Sequence, residues 1–232
     1  MPIKYLNGFD WFRGDSTKIV MVGRLNKNQR DLSLVIAIRD LEKENTRMKK
    51  LQENGEQLTK RNTKPIWSLK EIDYGRISNY VKSSPDCSKI LYSKYGYGDN
   101  QSLTWDVYYH DVDLNKKQRI TDSKRANNAC WAPDSKGIAF VSHENSSSNL
   151  FKTSIGNLSD VKRITNYSGD VQIVSPAWSP YGNSIAFAIS KDDGNMDIAI
   201  FDLNRKEPIR ITEDKQVDYL PVWHPSGNKI TY

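Results

Sequence analysis

Two cysteines in 232 residues are too few for a disulfide framework. Cys87 falls at a turn and Cys130 just before a tryptophan, so no bridge between them is expected, given the close Cα approach one requires. No apolar run is long enough to cross a membrane, and the mean hydropathy is low, at −0.70. Met1–Gly8 carries no apolar core of the length a secretion signal needs. The 3 histidines, His110, His143 and His224, stand in no metal-ligand spacing such as His-x-x-x-His. Neither a Gly-x-Ser-x-Gly elbow nor a Cys–His nucleophile pattern is present. No catalytic, cofactor-binding or metal-binding residue is therefore assigned. The net charge of +6 is mild and both signs are interspersed, which describes a solvated surface and no nucleic-acid footprint.

What the chain does hold is a repeat. Trp178-Ser-Pro-Tyr-Gly-Asn-Ser-Ile185 has copies at Trp131–Ile138, Ser83–Ile90 and Trp223–Ile230, and a fainter one at Phe12–Ile19. The prolines at 85, 133, 180 and 225 are spaced by 48, 47 and 45 residues. Between them run short apolar segments rich in Ile, Phe and Ala and closed by Gly, Pro, Asn and Asp, which reads as strands and turns. Each unit ends on an Arg-Ile-Thr triplet, at Arg119–Thr121, Arg163–Thr165 and Arg210–Thr212, with Gln57-Leu58-Thr59 as a weaker match in the first unit. A unit of this size with four short strands is one propeller blade. The tryptophan ending the first strand offers a flat surface to wedge between blades. One such sheet cannot bury both of its faces, whereas a ring of them can.

These residues carry a resemblance. Trp-Ser-Pro-x-Gly-x-x-Ile-Ala-Phe, then Asp-Ile-x-x-x-Asp-Leu, then Arg-Ile-Thr, resembles the TolB-like, WD-repeat-like propeller family of bacterial envelope proteins. The likeness runs from Gly8 to Tyr232 and is strong from Ile77 onward. The fold class expected is all-β, a β-propeller of four-stranded antiparallel blades in an incomplete ring of about four blades plus the start of a fifth. The array divides into a degenerate first blade at 8–59, an insert at 60–76, blades at 77–121, 126–165 and 174–212, and a fifth begun at 219–232. Because Tyr232 lies inside a strand of that fifth blade, the chain is expected to be part of a longer protein. Residues 40–55, dense in charge, are an extended surface loop or a short solvated helix with Glu42, Glu44, Arg47 and Lys50 at helical spacing.

The resemblance implies a non-enzymatic scaffold that binds protein partners in the periplasm or cell envelope. The alternative is an accessory or gating propeller of a larger hydrolase or peptidase whose catalytic domain lies elsewhere. Fold alone does not choose between them. Contact is expected on the connections that lead into the inner strands at one mouth of the ring, namely Asn127, Asp170, Gln172, Asp218 and Tyr219. The insert at 60–76 is a second candidate surface, since long inserts on rigid scaffolds often carry function. Asp192-Asp-Gly-Asn-Met-Asp197 is the most oxygen-rich loop, but its spacing is not that of a calcium-binding EF-hand.

Overall fold

The computed structural model describes residues 3, 5–190 and 194–232. Antiparallel sheets follow one another along the chain and do not close into a ring. The first is built from β1 (Tyr5–Trp11), β2 (Lys18–Arg24), β3 (Leu32–Arg39) and the start of β4 (Trp67–Ser83). The second takes the end of β4 with β5 (Lys89–Tyr97), β6 (Leu103–Asp111) and β7 (Lys116–Arg119). β8 (Ala126–Trp131), β9 (Gly137–Glu144), β10 (Ser147–Ser154) and β11 (Asn157–Arg163) form the third. β12 (Ile173–Trp178), β13 (Ser184–Ser190), β14 (Met196–Asp202) and β15 (Glu207–Arg210) form the fourth. A pair, β16 (Val222–Trp223) and β17 (Ile230–Thr231), begins the next. The sheets are called blades 1 to 4 below.

The repeat seen in sequence is a repeat in register. Ser83↔Ile90, Trp131↔Ile138, Trp178↔Ile185 and Trp223↔Ile230 are equivalent cross-strand pairs. The residue two past each turn proline takes a left-handed backbone, at Cys87 (φ 63), Ser135 (φ 58), Gly182 (φ 77) and Gly227 (φ 66). Glycine adopts that conformation without steric cost, which explains its recurrence there. The middle strands carry the core. Val141, Leu150, Ile173, Ile185 and Phe187 fill the seam between blades 3 and 4. Leu91, Val107, Trp131 and Phe140 fill the seam between blades 2 and 3. Val22, Leu34, Ile36, Ile90 and Tyr92 fill the seam between blades 1 and 2. Each fully buried side chain of this kind contributes roughly 1.5–3 kcal/mol.

Arg-Ile-Thr is a hydrogen-bond device as well as a strand end. In blade 2, Thr121 Oγ1 donates to buried Asp106 at 2.8 Å and accepts from Val107 N at 2.9 Å, while Arg119 Nη2 reaches Asp106 at 2.7 Å. Blade 4 repeats two of these bonds, with Thr212 Oγ1 accepting from Ile198 N at 2.9 Å and Arg210 Nη1 donating to Asp197 at 2.9 Å. In blade 3 the carboxylate is replaced by Asn149, and Arg163 turns instead to Glu144 at 3.2 Å. An amide keeps the hydrogen bond to threonine but gives the guanidinium no charge to face.

Blade 1 differs from the sequence reading. Gln57-Leu58-Thr59 does not close it, and 60–76 is not a separate insert. From Trp67 to Gly75, β4 pairs along β3, from Arg39↔Trp67 to Leu32↔Gly75, and then continues into the inner strand of blade 2. Glu71-Ile72-Asp73 stands in the triplet position, because Val35↔Glu71 corresponds to Tyr108↔Arg119, Phe151↔Arg163 and Ala199↔Arg210. The acceptor position is Ser33, which has no charge to recruit arginine. Asp73 takes Tyr92 Oη and Lys94 Nζ, each at 2.7 Å. Burial pushes the Asp73 carboxyl up, but those bonds more than offset it, so its pKa falls below the usual value.

The displaced residues 41–53 form a helix, α1 (Leu41–Glu53), and no loop. Asp40 caps it by accepting from Lys43 N at 2.9 Å. Glu44 anchors it, gripping Arg39 at 2.8 Å and accepting from Ile66 N at 2.8 Å. Glu42 and Glu44 in the first turn and Lys50 in the last suit the helix dipole. No helix among the described residues is long and apolar enough to cross a membrane.

Candidate functional site

The inner strands share a further irregularity that shapes the axis of the array. Each carries a register shift, between Leu6 and Gly8, Ile77 and Val81, Asn127 and Cys130, and Val174 and Ala177. Five residues before the turn proline, Asn128 (φ 46), Ser175 (φ 55) and Leu220 (φ 56) adopt a left-handed backbone. Such bulges bend a strand and re-aim its side chains. In blade 2 the same place holds Tyr80, whose hydroxyl donates to Pro176 O at 2.9 Å. That bond passes over blade 3 and joins the inner strands of blades 2 and 4. Lys82 Nζ lies 5.1 Å from the Tyr80 ring centroid. Burial first, then Cys130 and Asp10, raise the Tyr80 phenol well above its ordinary pKa, so it remains a donor. Cys130 and Cys87 are free thiols, and burial pushes Cys130 up to about 12. The sequence reading missed Tyr80. The signal was an aromatic residue at a position held elsewhere by Asn, Ser and Leu.

The expected mouth residues fall into three groups. Asp170 (φ 66) is exposed on the tight turn before β12. Gln172 Nε2 donates to Asp170 O at 3.2 Å and to Ser146 O at 2.7 Å, so it latches this turn to the β9–β10 hairpin. Asn127 lies within β8 beside the bulge and accepts from Asn128 Nδ2 at 2.8 Å. Asp218 is not on the rim. It is 9% exposed and stands seven residues before its turn proline, the place of fully buried Ala126 and Ile173. Its backbone N–H bonds Met196 O at 2.8 Å, which ties this connection to the start of β14. Tyr219 beside it is exposed, as are Val217, Leu220 and Val222. No hydrogen bond among the described residues joins the three groups. Asp192 and Asp193 of the oxygen-rich loop lie outside the described residues, and no metal-ligand cluster occurs among those described.

The fold defines an open β-propeller array with Trp-x-Pro turns at one end and inner-strand connections at the other. A profile of the TolB beta propeller domain matches residues 82–232, so the chain belongs to that family. The Tol-Pal system protein TolB of Ruthia magnifica is 30% identical over 105 residues, covering 45% of this chain and 24% of that protein. The chain thus spans about a quarter of the length of that curated relative. The crystal structure of TolB from Acinetobacter baumannii superposes with a TM-score of 0.65 at 20% identity, over 94% of this chain and 46% of that one. A puromycin-hydrolyzing peptidase of Mycobacterium tuberculosis gives 0.58 at 10% identity, over 93% of this chain and 32% of that one. At those identities the two structures share the fold alone.

Proposed function

We propose that the chain is the interaction propeller of a Tol-Pal-type assembly in the periplasm, and that it binds a protein partner through the inner-strand mouth. One observation carries the reading: Tyr219 is exposed beside exposed Val217 and Leu220 on the connection that enters the inner strand β16. Asp170 is likewise exposed, on the connection that enters the inner strand of the preceding blade. Aromatic anchors with a polar rim are the usual composition of an interface centre. The family membership and the curated relatives' Tol-Pal naming support the choice of assembly.

The test is a pull-down of Tol-Pal components by the purified chain and by Tyr219→Ala and Asp170→Lys. Both substitutions fall on exposed residues and should leave circular dichroism unchanged. Loss of capture by Tyr219→Ala supports the reading, whereas capture equal to wild type by both variants removes the mouth from it. The accessory-domain alternative draws on the peptidase-like neighbours. It gains if the variants capture normally and the chain associates with a hydrolase domain supplied in trans.

A further inference from the structure

The seam between blades 3 and 4 opens at the end opposite the mouth. Trp131 Nε1 donates back to Lys82 O of the preceding blade at 3.2 Å, and Trp223 Nε1 does the same to Ala177 O at 2.9 Å. Trp178 does not follow. Its Nε1 donates to Gly182 O at 3.1 Å, inside its own turn. Gly137 stands where the other blades have Lys89, Ser184 and Lys229; a Cβ there would crowd Ala132 Cβ at 2.8 Å and lie in ordinary contact, 3.6 Å, with Trp178 Cη2. The indole thus lies against the blade 3 turn at Gly137.

The result is a cleft of about 460 Å³. Trp178 and Tyr181 line it from blade 4, and Lys152, Asn157, Asp160 and Lys162 from blade 3. Tyr181 is 72% exposed, yet its ring is held against the next turn, where a Cβ on Gly227 would meet it at 2.5 Å. Lys152 pairs with Ala139, in the register that places Tyr109 in blade 2 and Ile200 in blade 4. A cation thus replaces an apolar residue on the seam. Lys162 pairs with Asp160 at 3.0 Å, and Asp134 accepts from the Lys136 and Gly137 amides at 2.8 and 2.9 Å. Lys152 has no ion pair among the described residues.

We infer that this cleft is a saccharide subsite that takes a pyranose bearing a carboxylate. The volume is that of a small-ligand site. Aromatic faces are electron-rich and attract the polarised C–H face of a sugar ring. With its N–H already bonded to Gly182, Trp178 contributes apolar surface and no donor. Ring hydroxyls both donate and accept, which matches Asn157, Asp160 and Lys162 around the edge. The carboxylate answers the unpaired Lys152 with a charge-assisted bond. A proline-rich peptide would also suit the aromatic wall, but it brings few hydrogen-bonding groups. It would strip water from Asn157, Asp160 and Lys162 without replacing it.

The experiment titrates the full chain with sodium D-glucuronate, D-glucose, sodium acetate and oligoproline, following the Trp178 indole N–H by NMR. Glucuronate should saturate the signal with a dissociation constant in the millimolar range, and glucose should bind about tenfold more weakly. Lys152→Gln should bring glucuronate down to the glucose level and leave glucose unchanged. Tyr181→Ala should weaken both sugars about tenfold, with the melting temperature of each variant near wild type. The inference is overturned if acetate binds as well as glucuronate, if oligoproline shifts Trp178 and glucuronate does not, or if both variants bind glucuronate like wild type.

Discussion

Asp106 organises the link between blades 2 and 3, and its removal should be among the most damaging single changes in the molecule. It is 1% exposed. Its Oδ2 accepts from Arg119 Nη2 at 2.7 Å, Thr104 Oγ1 at 2.9 Å and Ser123 N at 3.0 Å. Its Oδ1 accepts from Thr121 Oγ1 at 2.8 Å and Lys124 N at 3.2 Å. Truncation to alanine strands several of these donors, at about 1–3 kcal/mol for each that stays buried. It also leaves Arg119, 23% exposed, without its buried carboxylate, and breaking a buried pair costs about 3–5 kcal/mol. Arg119 keeps Asp122 at 2.9 Å, and water can reach part of the Ser123–Lys124 backbone, so the losses do not add. We expect about 4 kcal/mol for Asp106→Ala and about 1–2 kcal/mol for Asp106→Asn. The smaller figure follows from blade 3, where Asn149 holds the same place and still serves Thr165 at 3.0 Å. Urea unfolding followed by circular dichroism gives the two values. Native-state hydrogen exchange at Val107, whose N–H bonds Thr121 Oγ1, localises the damage. A loss below about 1 kcal/mol for alanine would refute the reasoning. Equal losses for alanine and asparagine would show that charge, and not hydrogen-bond geometry, dominates.

Two other outcomes are expected. Tyr80→Phe keeps the ring but removes the bond to Pro176 O, so stability should drop by about 1 kcal/mol, and exchange should rise at the inner-strand bulges of blades 2 and 4. An unchanged melting temperature would mean that the bond contributes nothing to holding those blades together. Burial, then Lys70, holds the His110 imidazole below its ordinary pKa of 6.5, with Asp111 and Asp73 pulling the other way. The unfolded chain therefore binds more protons at this site. The stability from His110 is complete above pH 6.5 and falls as the pH drops below it toward the folded value. His143 is lowered in the same direction, chiefly by burial, and adds to the slope. His110→Phe should flatten the fall of stability as the pH drops below 6.5, and a slope identical to wild type would contradict the assignment.

The repeat was legible because its signals are local. A turn proline, a left-handed residue two positions on, an Ile–Phe alternation and a closing Arg-Ile-Thr each act within a few residues of the chain. Blade 1 was misread for the same reason. Its closing triplet is Glu71-Ile72-Asp73, and a search for arginine and threonine stops at Thr59. The helix at 41–53 was one of two readings of a charged stretch, and the grip of Glu44 on Arg39 and on the Ile66 amide, 22 residues away, accompanies it. At the mouth, Asp170 and Tyr219, named from their position in the repeat, are exposed. That position could not show that Asp218 occupies a core place, because aspartate in a connection reads as a turn residue.

From blade 2 onward the sequence by itself determined the strands, their turns and the blade period, since these depend on side-chain periodicity and backbone preference over a handful of positions. Only the tertiary structure decided what happens between blades. Tyr80 reaches Pro176 across an intervening sheet, Trp178 keeps its indole N–H bond within its own turn, and Lys152 lines an open seam. Each depends on how far apart two sheets sit, a distance set by the packing of all the residues between them and encoded at no single position.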